Sequence, residues 1–195
     1  MDLWLKTRRL PVLLAGLALY VCLALAAGDM LVSLPSLDGG AGRPLIVFAP
    51  LLVCAGLAYS LSSRMPGAEA AAGRPVARFD RWLVVAAGVA AIASAHLVAL
   101  VVDAPNADTA GRNAAFLIGL MLCARRTAGD HAAALVPAAW VITMTLIGGG
   151  GPGRDRAWTV ILMPADHVGA AVAAAVVFAS GLMAVRVRPG RGGTQ

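Results

Sequence analysis

Long apolar runs separated by short polar connectors recur along the chain. Leu10–Ala27, Pro44–Leu61, Trp82–Val102, His131–Ile147 and Val168–Val185 are each 17 to 21 residues long. A shorter run, Asn113–Ala124, stands between the third and fourth of these. A helix rises 1.5 Å per residue, so about 20 apolar residues cross a roughly 30 Å hydrocarbon core. The five longer runs therefore predict membrane-crossing helices. The short run covers only about 18 Å at that rise. It predicts a thinned or tilted crossing, bracketed by Arg112, Asn113 and Arg125, whose side chains snorkel outward. The pattern as a whole predicts an all-α polytopic membrane helix bundle, six spans in one transmembrane domain covering 1–195.

Charge supplies the orientation. With the N-terminus inside and the spans alternating, one side collects Lys6, Arg8, Arg9, Arg64, Arg74, Arg78, Arg81, Arg125, Arg126, Arg186, Arg188 and Arg191. The other side receives Arg43, Arg112, Arg154 and Arg156. Twelve against four is the cytoplasmic excess of Lys and Arg that sets topology, so both termini are expected in the cytoplasm. Dropping the short fourth run would reverse the last span and put Arg186, Arg188 and Arg191 outside, which the charge rule disfavours. A net charge of +6 would suggest nucleic acid in a soluble chain. Here the asymmetry accounts for it, and the same arginines attract anionic headgroups of the lipid bilayer.

Composition agrees. Charged residues make up 13% of the chain, against roughly 25% in soluble domains, so no folded soluble domain is expected. The preference for Arg over Lys, with abundant Ala and Gly, looks like the codon bias of a GC-rich bacterium, and a bacterial inner membrane is expected. Cys22, Cys54 and Cys123 fall on three different spans without metal-ligand spacing and read as small hydrophobes. The basic start followed by an apolar run imitates a signal peptide. That run is longer than the usual 7–15 residues of an h-region, so an uncleaved first span is expected.

The connectors carry the remaining local signals. Residues 1–9 predict a short interfacial helix, with Trp4 at headgroup depth beside Lys6, Arg8 and Arg9. The loop 28–43 is turn-rich and otherwise featureless. Pro50 predicts a kink within the second span, because it removes a backbone donor. The longest cytoplasmic connector, 62–81, ends in a charged and aromatic cluster of Arg74, Arg78, Phe79, Asp80 and Arg81, a candidate partner-contact surface. Residues 154–164 are too apolar for water and too short to cross, so a short helical or re-entrant element at the outer interface is expected there. Asp166 is placed to cap the last helix. Ala87, Ala91 and Ala95 in the third span, and Ala171, Ala175 and Ala179 in the sixth, recur every four residues. They predict close packing of these two helices.

Chemistry is sparse. The chain has a single glutamate, Glu69, and neither a His-Glu-x-x-His zinc motif nor a Gly-x-Ser-x-Gly elbow. The glycine run 148–151 lacks the Lys of a phosphate loop. No enzyme activity, cofactor or metal is expected. Ionisable groups at membrane depth are functional hypotheses by default. His96, Arg112, Asn113, Asp166 and His167 are accordingly the candidate residues of a substrate path. Asp103 and Asp108, flanking Pro105, read as solvated turn residues.

The run Arg112-Asn113-Ala114-Ala115-Phe116-Leu117-Ile118-Gly119-Leu120, then Ala124-Arg125-Arg126 and Leu135-Val136-Pro137-Ala138-Ala139-Trp140, resembles small actinobacterial integral membrane proteins associated with ABC transporters. Arg156-Ala157-Trp158 and Met163-Pro164-Ala165-Asp166 fit the same resemblance, which covers about 110–170. Such proteins look like reduced permeases of the ABC type-two exporter superfamily. The resemblance implies an N-terminal interfacial helix, six spans, an inner segment coupling to the ATPase, and an outer helical element before the last span. It also implies a separate ATP-binding cassette subunit on the cytoplasmic face and a second permease subunit, since this chain lacks a nucleotide motif. Two other functions fit the pattern. One is a substrate-binding membrane subunit of a vitamin or metal uptake transporter, and the other is a non-transport accessory subunit of a larger membrane complex.

Overall fold

The computed structural model describes residues 9–27, 30–32, 42–63, 76–104, 106–147 and 159–185, without side chains at 76 and 77. Within them lie six α-helices: α1 (Leu10–Ala27), α2 (Pro50–Ser62), α3 (Val76–Val102), α4 (Asn106–Ala128), α5 (Asp130–Ile147) and α6 (Val168–Ala184). Single 3-10 turns, Leu45–Phe48 and Val160–Leu162, precede α2 and α6. The interfacial helix expected over 1–9 and the start of the outer element lie outside the described residues, apart from Arg9.

Four helical stretches are long and apolar enough to cross a membrane: Leu10–Ala27, Leu45–Ser62, Arg78–Val102 and Asp130–Ile147. Val168–Ala184 is apolar but shorter. Large apolar side chains face outward all round the bundle, among them Leu14, Val89, Leu100, Leu135, Val172 and Met183. Water would not tolerate so continuous an apolar surface, whereas lipid tails do.

The centre of the bundle is α4, the helix whose apolar run is shortest. It packs against α2, α3, α5 and α6, and Ala107, Ala110, Asn113, Leu117, Ile118 and Met121 are all nearly inaccessible. The truncated span inferred from 113–124 is therefore a full helix of 23 residues, about 34 Å long at the α-helical rise. A helix that meets protein on every side need not be uniformly apolar. Its polar outer turns broke the hydrophobic run without shortening the helix.

Backbone contact at the crossings explains several glycines. A Cβ on Gly119 would stand 2.5 Å from the Val177 carbonyl oxygen and 2.6 Å from Phe178 Cα, and one on Gly181 would stand 2.7 Å from the Gly119 oxygen. The α4–α6 crossing thus admits no side chain on either helix. Gly16 on α1 meets α2 in the same way, a Cβ there lying 2.7 Å from the Leu52 oxygen.

Several sequence expectations are corrected. Pro50 does not kink the second span. It is the first residue of α2, where a missing N–H is harmless, and the 3-10 turn 45–48 leads into it. Ala87, Ala91 and Ala95 are buried as expected, but Ala171, Ala175 and Ala179 face outward. The inward stripe of α6 runs through Ala170, Ala174 and Gly181 instead. The two helices meet where the Phe178 ring of α6 lies against Gly88 of α3, but both pack chiefly on α4. The loop after α1 is not featureless either. Leu31–Val32 pairs antiparallel with Arg43–Pro44, and Leu45 N–H donates to the Met30 carbonyl at 2.9 Å.

Candidate functional site

Polar groups gather at the two ends of α4. At its N-terminal end, Arg112 and Asn113 reach the turn before α6. Asn113, buried in the bundle, donates its amide to the Ile161 carbonyl at 2.7 Å. Arg112 donates to the carbonyls of Pro164 (2.6 Å), Met163 (2.6 Å) and Val160 (3.1 Å). A single 3-10 turn leaves most of its carbonyls unpaired, and a guanidinium with five donors is suited to collect them. Asp166 lies close enough for its charge to act on Arg112. The turn is packed as well as bonded, with Val160, Ile161 and Met163 buried.

The last helix is capped by His167, not by Asp166 as its position suggested. His167 Nδ1 accepts from the Ala170 N–H at 3.1 Å, and the residue has the extended backbone of an N-cap. His96 does not join this cluster. Its ring, 63% exposed, lies on the outward side of α3, with Nδ1 3.0 Å from Asp108 Oδ1. Asp108 is thus a partner of His96 and not merely a solvated turn residue. Of the five candidate path residues, Arg112, Asn113, Asp166 and His167 converge on the segment 160–170, where Arg112, Asn113 and His167 bond to backbone. No group of three or more metal-ligating side chains occurs among the described residues.

At the opposite end, Arg125 performs the task that Arg112 performs above. Its Nε donates to Asp130 at 2.6 Å and its terminal nitrogen to the Leu61 carbonyl at 2.7 Å, joining α2, α4 and the start of α5. Arg9 lies over the Tyr59 ring, 5.1 Å from its centroid, and also bonds its hydroxyl. Sequence reasoning had Arg125 snorkelling outward from the short fourth run and Arg9 in an interfacial helix, and foresaw neither the bond to the Leu61 carbonyl nor the one to Tyr59. The one available hint was the placement of Arg125 beside Gly129 and Asp130, a helix end followed by a helix start.

The cluster expected to lie in the cytoplasm and contact a partner divides. Arg78 and Phe79 are exposed at the start of α3, with Trp82 one turn on at 64% exposure. Asp80 is fully buried and faces the bundle, so it is not a surface contact. An α-helix turns 100° per residue, so neighbours in sequence cannot all face outward. Arg81 is half-buried, and Arg74 lies outside the described residues. No protein-family model, curated protein or solved structure matches the chain.

Proposed function

We propose that this protein is the membrane-spanning permease subunit of an ATP-driven ABC exporter, working with a separate ATP-binding subunit. On this reading all six helices cross a bacterial inner membrane, with the Arg125 end and both termini in the cytoplasm. A second permease subunit completes the pathway. The carrying observation is the turn Val160–Leu162, fastened to the central helix by Arg112 and Asn113 immediately before the last span. An outer helical element at that point of the chain is what the type-two exporter resemblance implies. The Arg125 end supports the orientation, because Arg9, Arg78, Arg81, Arg125 and Arg126 gather there against only Asp80 and Asp130 among the described residues.

The capture subunit of an uptake transporter fits less well. It needs polar side chains turned toward an open cavity, whereas Arg112 and Asn113 donate to backbone carbonyls. Purifying the tagged full-length chain in mild detergent and identifying bound proteins by mass spectrometry tests the proposal. A stoichiometric ATP-binding cassette protein is the expected result. A bound vitamin or metal with no ATPase would favour capture, and a larger complex without either would favour an accessory role.

A further inference from the structure

Helices α3 and α4 form a hairpin and pack side by side in opposite directions. Near their connector His96 Nδ1 stands 3.0 Å from Asp108 Oδ1, so these two positions share a level and a flank. Gly111 gives the same register, since a Cβ there would lie 3.0 Å from Ala95 Cβ and 3.2 Å from Ile92 Cα. Eighteen residues make about five whole turns of α-helix. Arg78 precedes His96 by that interval, and Arg126 follows Asp108 by it. At the far end of the hairpin the two arginines therefore repeat the placement of the pair, on one flank and at one level. Where the pair sets an acid against a base, this end sets two cations against each other.

Both arginines are exposed. Arg81 lies beside them, half-buried on the row of α3 that leads to Ile92 and Ala95, and its Nε is shielded from solvent without an acceptor. None of the three has a hydrogen bond or ion pair within the described residues. The acids of this end are turned elsewhere, Asp80 into the bundle and Asp130 onto Arg125. Cations so placed repel one another unless an anion lies between them. Guanidinium forks match the oxygens of a phosphate.

Trp82 shows what the phosphate is attached to. It follows Arg78 by one turn, about 6 Å nearer the middle of the bundle. It heads the outward stripe of α3 that continues through Val89 and Leu100, the three being 64%, 59% and 70% exposed. A free ion or an acidic protein surface would leave that stripe bare. A phospholipid covers both features, with its phosphate on the arginines and its chains along the stripe, and an indole suits the boundary between them.

We propose that the Arg126 end of the α3–α4 flank binds the headgroup of an anionic phospholipid, its phosphate held by Arg78, Arg81 and Arg126. The inference rests on the membrane-spanning part of the proposed function and is independent of the exporter assignment. It gives Arg78 a lipid as its partner in place of the ATP-binding subunit.

The test is native mass spectrometry of the full-length chain in a neutral detergent, offered phosphatidylglycerol and phosphatidylcholine in equal amounts. The wild-type chain should retain phosphatidylglycerol preferentially. R78Q and R126Q should each lower the bound ratio by roughly fivefold, the order expected for one arginine at a charged membrane surface. R78K with R126K should keep most of the preference, and R43Q, at the opposite end of the bundle, should leave it unchanged. In phosphatidylcholine alone the glutamine variants should melt with the wild type, because neither side chain is paired within the protein. A lower melting temperature there would overturn the inference. So would absence of a preference in the wild type, an R43Q effect equal to that of R78Q, or displacement of the lipid by inorganic phosphate. Loss of a co-purifying protein from R78Q with R126Q, at an unchanged lipid ratio, would assign the flank to that protein instead. Retention of the wild-type chain in carbonate-washed membranes, scored in parallel, separates failure of this site from failure of the membrane reading.

Discussion

The side-chain amide of Asn113 donates to the Ile161 carbonyl at 2.7 Å, with both residues essentially inaccessible. The bond joins the central helix to a turn 48 positions later, where no regular ladder could satisfy that carbonyl. Removing the donor leaves a buried acceptor unpaired, which costs about 1–3 kcal/mol. N113L should therefore lower thermal stability in detergent and increase reactivity of a cysteine placed at Ile161. N113D, which offers an acceptor to an acceptor, should be worse. Unchanged stability in both variants would remove this bond from the account.

The α4–α6 crossing predicts a sharper steric result. G119A places a methyl 2.5 Å from a backbone oxygen that no rotamer can move aside. Overpacking of that kind costs about 1–3 kcal/mol. Ala175→Leu, on the exposed stripe of α6, should by contrast leave the melting temperature nearly unchanged.

His167 gives a test that separates it from its neighbour. H167A removes the N-cap acceptor for Ala170 and should cost about 1 kcal/mol. His167→Asn or Ser, which also cap, should recover most of it. D166A should leave the start of α6 intact and weaken the hold of Arg112 on residues 160–164. Hydrogen exchange at the first turn of α6 and at the 160–162 turn reads the two effects apart.

Asp103 closes α3 with φ of 52°, a left-handed conformation that suits glycine better than aspartate. The Ala104 N–H returns to the Ala99 carbonyl at 3.3 Å, as at a helix C-terminus of this type. D103G should raise stability by roughly 0.5–1 kcal/mol, with gain from relieved strain partly offset by freedom of the unfolded chain. A fall in melting temperature would show that Asp103 serves some further purpose.

Much of the helix plan was legible because lipid-facing helices must be apolar on their outward side, and that requirement leaves long runs such as Leu10–Ala27 and Trp82–Val102 in the sequence. Legibility failed where protein replaces lipid. The helix Asn106–Ala128 is enclosed by its neighbours, so Asp108, Arg112 and Asn113 interrupt its run without ending it. The alanine spacing on α6 misled for a related reason. In so alanine-rich a segment, 170/174 and 171/175 have equal claims, and only the close approach at Gly119 and Gly181 decides which face is buried. The polar cluster at 112–113 was legible as residues, but its partners are backbone carbonyls, which no side-chain pattern reveals.

The account turns most directly on whether α4 crosses the membrane, since that makes the span count even. Paired C-terminal fusions of the full-length chain to alkaline phosphatase and to a fluorescent protein measure it. Six crossings from a cytoplasmic N-terminus predict a fluorescent fusion that glows and a phosphatase fusion that is inactive. An active phosphatase with a dark fluorescent fusion would put the C-terminus outside, through an odd number of crossings or an inverted orientation, and would contradict the six-span topology proposed here.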